Sequence, residues 1–226
     1  MCFSATASFS AGAFLLGIGT LTLRSAMAAH QPRALPFAAI PLLFAVQQLI
    51  EGVIWLTLRS DAALLNASMT YLYSFFSHVL WPVYVPLAVM LMEPAGWRRR
   101  ALLAFVTAGA ALGAYLLYVL LAYPVVARQT GQNIEYLSPH FFATASMTLY
   151  LLSTALSPLL STHRLVQLLG VLALLSFGAA YSFYAIWFIS VWCFFAALLS
   201  VLVYLHFGVQ QRKRSRSAGD HLIAHR

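Results

Sequence analysis

The sequence predicts an all-α fold, a seven-transmembrane-helix bundle with its N-terminus outside and its C-terminus cytoplasmic. Three observations carry that prediction. Of 226 residues, 62% are hydrophobic and only 8% charged, with a mean hydropathy of +0.84, against about half apolar and a quarter charged in a soluble domain. The apolar residues gather into seven runs near the ~20 residues a helix needs to cross a bilayer. The basic residues collect on alternate connections, as the positive-inside rule requires.

The first run, 6–23, follows no basic n-region and precedes no small-residue cleavage site, so it reads as a retained helix and not as a signal peptide. No apolar stretch precedes Cys2, which argues against a lipoprotein signal. HQPRALP (30–36) leads into the second run, 35–58, and the third is 69–92. EPAGWRRR (93–100) joins it to the fourth, 101–123. Residues 124–140 form the longest connection; it contains Gly131 and Pro139 and is polar enough to be an extramembrane loop. The fifth run is 141–160, and STHR (161–164) connects it to the sixth, 165–182. Only Ser182 and Phe183 separate that run from the seventh, 184–207, so one kinked or re-entrant element competes with two helices there. One transmembrane domain, 1–209, is expected, followed by a basic, disordered cytoplasmic tail, 210–226.

With the tail inside, Arg24, Arg33, Arg98, Arg99, Arg100, Arg164, Arg212, Lys213, Arg214, Arg216 and Arg226 are cytoplasmic. Arg59 and Arg128 are outside, so the count is 11 against 2. The net charge of +8 is therefore topological and implies no nucleic-acid partner. The partner is the bilayer itself, with Arg98, Arg99 and Arg100 contacting anionic lipid head groups and Glu93 pairing with that cluster. Cys2 and Cys193 are the only cysteines, so there is no disulfide framework. Small residues such as Gly109, Gly113, Gly170 and Gly178 are expected to let helices approach closely. Gly109 and Gly113 make a GxxxG that serves internal packing or a homodimer, packing being preferred.

Against this background one stretch is anomalous: QQLIEGVIWL (47–56) places Glu51 in the middle of an apolar helix. Glu51 lies seven residues before the outer end of the second run, and His78 nine residues into the third. At 1.5 Å per residue both sit roughly 10–14 Å below the outer ends. Sequential helices joined by a short loop are usually neighbours, and a buried carboxylate in lipid costs a few kcal/mol and turns inward to a partner. His78 is the nearest partner. Gln47, Glu51 and Trp55 share a helix face with Gln48 beside it, and so do Ser74, His78 and Trp81 with Ser77 beside them. Two readings stand: a network that only fixes packing, or a ligand-binding or proton-coupled site. His140, Tyr181, Tyr184, Trp187, Cys2 and Ser4 also belong to the outer side. Cys193 reads as core, His206 as interfacial, and His30, His163, His221 and His225 as loop or tail. Asn66-Ala67-Ser68 fits a glycosylation sequon that short sequences also match by chance.

MCFSATASF, QQLIEGVIW and SHVLWPVYVPLAV together resemble an uncharacterised family of mainly bacterial multi-pass membrane proteins. Its members open Met-Cys-Phe-Ser-Ala and carry Gln-Gln, Glu-Gly and Trp in the second helix, here Gln47, Gln48, Glu51, Gly52 and Trp55. The resemblance implies seven helices in a cell membrane and brings no activity. A looser one, the Ser74-x-x-x-His78 spacing, is similar to the alkaline ceramidase and adiponectin-receptor group of zinc-dependent lipid hydrolases. This sequence departs from that group: it lacks an HxxxH pair in the seventh helix and any Asp within the seven runs.

The leading expectation is a small receptor, sensor or carrier that binds a cation, proton or small ligand at Glu51 and His78. The alternative is a metal-dependent intramembrane lipid hydrolase, with Glu51, His78 and His140 or Cys2 holding a single divalent metal ion and water activated there. A haem site using His78, His140 and Cys2 ranks last, because haem takes paired axial ligands and only His78 lies deep in the bundle.

Overall fold

A computed structural model describes residues 4–131, 133–139, 142–183 and 188–209 of the chain, side chains at 183, 188 and 189 excepted. The described residues are mostly helical. Seven helices are long and apolar enough to cross a membrane: α1 (Ala5–Ala28), α2 (Pro32–Thr57), α3 (Ala63–Met92), α4 (Trp97–Ala122), α5 (Ala143–Leu160), α6 (Arg164–Ser182) and α7 (Ser190–Val209). The tail, 210–226, lies outside the described residues. Helices α6 and α7 are separate and lie side by side. The Trp192 indole of α7 donates to the Ala173 carbonyl of α6 at 3.4 Å and meets Phe177 edge-on at 5.4 Å.

The Ser4 hydroxyl caps α1, accepting from the Ala7 N–H at 3.2 Å. Glycines then set how α1 seats on α2. A Cβ added at Gly12 would lie 2.9 Å from Leu49, at Gly19 2.6 Å from Leu42, and at Gly52 2.8 Å from Phe9. Each helix thus accepts the other's large side chains where it has none of its own. At the α2–α3 turn the Asn66 amide donates to Thr57 Oγ1 at 2.9 Å, so this sequon asparagine holds the turn.

Prolines shape the centre of the bundle. In α3 the turns Phe75–Leu80 are π-helical and precede Pro82, which has no N–H. The Trp81 N–H reaches back five residues to Phe76, so the Ser77 carbonyl finds no helical donor. The Tyr150 hydroxyl of α5 supplies one at 2.5 Å. Helix α5 repeats the device over Leu152–Leu156, before Pro158. There the Ser157 N–H reaches Leu152, and the Ser157 hydroxyl takes the Ser153 carbonyl at 2.5 Å. Both bulges face Gly109 of α4, where an added Cβ would lie 1.9 Å from the Pro82 oxygen and 3.2 Å from Ser153 Oγ. Gly113 sits likewise against Val79 and Val83, and Gly170 against Ala155. The α4 glycines therefore serve packing inside the chain. Gly178 does not fit the expected pattern, since a Cβ there meets nothing within 4 Å.

The connection after α4 corrects the plain loop expected from its polarity. It is a β-hairpin, β1 (Val126–Thr130) antiparallel to β2 (Asn133–Leu137), with Ala127 opposite Tyr136 and Gln129 opposite Ile134. Gly131, at φ +63, takes the left-handed turn position that the two-residue connection demands. Val125, Ala127, Ile134 and Tyr136 alternate inward, and the last three join Ile50, Ile54, Trp55 and Tyr73 in one apolar cluster. Arg59, on the α2–α3 turn, donates to the Gln129 side chain at 3.2 and 3.3 Å and ties the hairpin down.

At the opposite end two expectations are corrected. Glu93 does not join the Arg98–Arg100 cluster. It is buried at the end of α3 and accepts from the Ser161 hydroxyl at 2.6 Å and the Thr162 N–H at 2.9 Å, closing the α5–α6 turn. Arg98 instead lies over the Trp97 ring, 5.5 Å from its centre. His206 is also buried, against Phe37, His163 and Phe207, so it is a packed core residue at that end.

The glycine geometry predicts opposite outcomes for two equal substitutions. Gly109→Ala should cost about 1–3 kcal/mol because the Pro82 backbone must move, whereas Gly178→Ala should be neutral or stabilising by up to about 1 kcal/mol from helix propensity. Thermal unfolding of the two variants in detergent micelles reads the contrast.

Candidate functional site

Helix α2 brings Gln47, Gln48 and Glu51 to complete burial and Trp55 close to it. Their spacing puts Gln47, Glu51 and Trp55 on one face, turned away from exposed Val46 and Leu56. The Glu51 carboxylate is held from two directions. Its Oε1 accepts from the Ser190 hydroxyl of α7 at 2.8 Å and from the Tyr136 hydroxyl of the hairpin at 3.3 Å. The Tyr136 ring stacks flat on Tyr73 of α3, centroids 4.5 Å apart. The Cys193 thiol, one turn beyond Ser190, lies near the Gln47 and Tyr73 side chains and the Glu51 carboxylate. One turn deeper, the Trp81 indole donates to Gln47 Oε1 at 2.7 Å and its ring stacks on Phe44 at 3.9 Å.

His78 sits in the π-helical turn of α3. Its Nδ1 lies 2.8 Å from Ser77 Oγ and 3.1 Å from the Ser74 carbonyl. Helix α3 starts at Ala63, six residues before the expected position. Glu51 therefore comes beside Tyr73, to which Tyr136 and Cys193 link it, and His78 falls about a turn deeper.

What joins them is space. A cavity of about 420 Å³ lies under the hairpin. Ser74, Ser77 and His78 of α3, with Ser190 and Cys193 of α7, form its polar side, and Tyr136 roofs it. Leu116, Val119 and Leu120 of α4 form an apolar wall. Both residues that hold Glu51 border this chamber, and so does His78. Ser74 Oγ in its wall is buried with no hydrogen-bond partner among the described residues, as are both ends of the Gln48 amide, Gln47 Nε2 and Trp55 Nε1 on α2. Unmet donors and acceptors of this kind call for a ligand or ordered water.

Cys2 and His140, the other candidate metal ligands, lie outside the described residues, as do Tyr184 and Trp187. Among the described residues no three metal-ligating side chains come together. Arg98, Arg99 and Arg100 begin α4 at the far end of the bundle, clear of the chamber. Tyr181 is exposed and borders the cavity. Sequence reasoning missed Tyr73, Tyr136, Tyr150 and Ser190, and read Cys193 as core only. The alternation of Val125 and Ala127 with Ile134 and Tyr136 about a glycine was the available signal for the hairpin. The i, i+3 spacing of Ser190 and Cys193 was the signal for the α7 face.

The arrangement defines a helical bundle, apolar enough for a membrane, with a roofed, mostly apolar chamber beside a buried acid. The chain belongs to a family of unknown function, DUF6629, whose model matches residues 1–219. No curated protein and no solved structure matches it.

Removing the hydroxyl that satisfies the α3 bulge tests the chamber wall. Tyr150→Phe should leave the Ser77 carbonyl unmet and cost about 1–3 kcal/mol, measured by thermal unfolding. A loss below about 0.5 kcal/mol would show that the bulge is satisfied without Tyr150.

Proposed function

We propose that the chain is a multi-pass protein of the cell membrane, amino terminus outside and tail inside, acting as a small receptor, sensor or carrier. Its ligand enters the chamber beneath the hairpin and is read against the Glu51 carboxylate. One observation carries this reading: the two residues that hold Glu51, Tyr136 and Ser190, are themselves walls of a cavity of about 420 Å³. That volume lies within the roughly 300–1,000 Å³ of small-molecule sites, and its mostly apolar lining with a few convergent polar groups matches their usual chemistry.

The orientation rests on the arginine bias of 11 against 2, which puts the hairpin end outside. The chamber is then reached from the external side, and Arg98, Arg99 and Arg100 meet anionic head groups on the internal side. A buried carboxylate in a low-dielectric surround favours a cation or a proton over an anion. Ligand binding displaces or joins the Tyr136 hydroxyl at Glu51, which couples occupancy to the position of the hairpin.

The test uses propylammonium as probe cation with the full chain in lipid nanodiscs. Saturating probe should raise the melting temperature of the wild type, by the linkage that gives about 2.7 kcal/mol at a hundred times Kd. Glu51→Gln, which keeps the side-chain volume, should remain folded and lose the shift. Equal shifts in both proteins, or none in either, would overturn the Glu51-centred reading.

A further inference from the structure

We infer that the chamber takes a single-chain amphiphile with a cationic, hydrogen-bond-donating head group. This rests on the binding reading above and names the ligand class for the same site.

The argument starts from the uneven chemistry of the walls. Ser74 is 1% exposed and lines the chamber, and its Oγ has no hydrogen-bond partner among the described residues. It is a polar atom aimed at something the protein does not supply. The Ser190 hydroxyl, with the Glu51 carboxylate behind it, lines the same chamber. No Lys or Arg is among the described lining residues. A buried acid with no basic residue in the lining repels an anionic head group and suits a donor.

The opposite wall is of another kind. Leu116, Val119 and Leu120 present a continuous hydrocarbon face along one side of α4, and Met147 and Trp192 extend it. A small polar cation would leave that face bare, and burying it contributes about 0.8 kcal/mol per CH2. Directly behind, a second cavity of about 60 Å³ shares Tyr150, Trp192 and Cys193 with the first. Its other walls are nearly all apolar, with Phe44, Leu169 and Ala196 among them. Apolar space therefore lies on both sides of the wall made by Tyr150, Trp192 and Cys193.

Size narrows the class. A cavity of about 420 Å³ is of the size that takes small molecules, and one chain of about ten carbons with a compact head suits it. A primary alkylammonium satisfies charge, donor and volume together, whereas a quaternary one brings the charge but no N–H for Ser74.

The experiment compares decylammonium, propylammonium and decanoate by calorimetry on the full chain in nanodiscs, with empty nanodiscs subtracted. Decylammonium should bind at least tenfold more tightly than either of the others. Leu120→Trp, which fills the apolar wall, should reduce decylammonium affinity to that of propylammonium and leave propylammonium within twofold; Val119→Phe is read instead if that variant does not melt cooperatively. Equal affinity for the two amines overturns the amphiphile while leaving a Glu51-dependent cation site standing. Tightest binding of decanoate overturns the charge assignment. No amine binding at all removes both readings, and a wall-filling variant that binds decylammonium like the wild type overturns the placement of the chain.

Discussion

A carboxylate buried among helices is the constraint from which the rest of this structure can be understood. Glu51 has no exposed surface, and a charge in such a place costs several kcal/mol unless hydrogen bonds replace its lost water. Those bonds come from residues 85 and 139 positions away in the chain, Tyr136 and Ser190. To deliver them, the α4–α5 connection must fold back over the bundle and α7 must lie against α2. The hairpin is therefore anchored at both ends of its span, by Arg59 to Gln129 at the surface and by Tyr136 to Glu51 inside. One acid thus joins a helix near the amino terminus, an extrahelical hairpin and a late helix.

A second constraint acts through the backbone. Pro82 and Pro158 each remove a donor, and each helix responds with a π-helical turn just before the proline. The carbonyls so released are taken by hydroxyls, that of Tyr150 in one case and that of Ser157 in the other. The first bulge carries His78 and Ser77 to the chamber, and the second sets Tyr150 in position to close it. Gly109 lets α4 reach both. Such bulges commonly lie at functional sites, and here they determine which side chains border the cavity. The position of His78 is a consequence of Pro82 as much as of its own place in the helix.

The chamber wall is incompletely satisfied at Ser74, whose Oγ is buried with no hydrogen-bond partner among the described residues, and on α2 both ends of the Gln48 amide are likewise unmet. Sequences that only needed to pack would place Leu or Ala at such positions, since an unmet buried polar group costs about 1–3 kcal/mol. Their retention is consistent with a site whose partner is absent from the protein chain itself. Membership of a family of unknown function leaves that partner to be argued from chemistry.

Much of the fold was legible in the residues. Seven helices follow from apolar run length alone, because every backbone polar group in lipid must be satisfied within its own segment. The burial of Glu51 was legible for the same reason: an acid in an apolar helix turns inward to partners. Its matching stripe on α3 was legible too, and the Gln47–Trp81 bond joins the two. What only the tertiary structure decided was which groups complete the site. Tyr136 lies in a polar connection whose hairpin is stabilised mainly by docking on Tyr73 and Trp55, an effect no local pattern records. Glu93 and His206 looked like surface groups because charge and polarity predict exposure, yet the closing of the α5–α6 turn and the packing around Phe37 bury them. Run length and polarity are properties of a segment and can be read from it. Hydrogen bonds between segments 85 and 139 residues apart depend on how helices pack, and packing is decided by the whole chain at once.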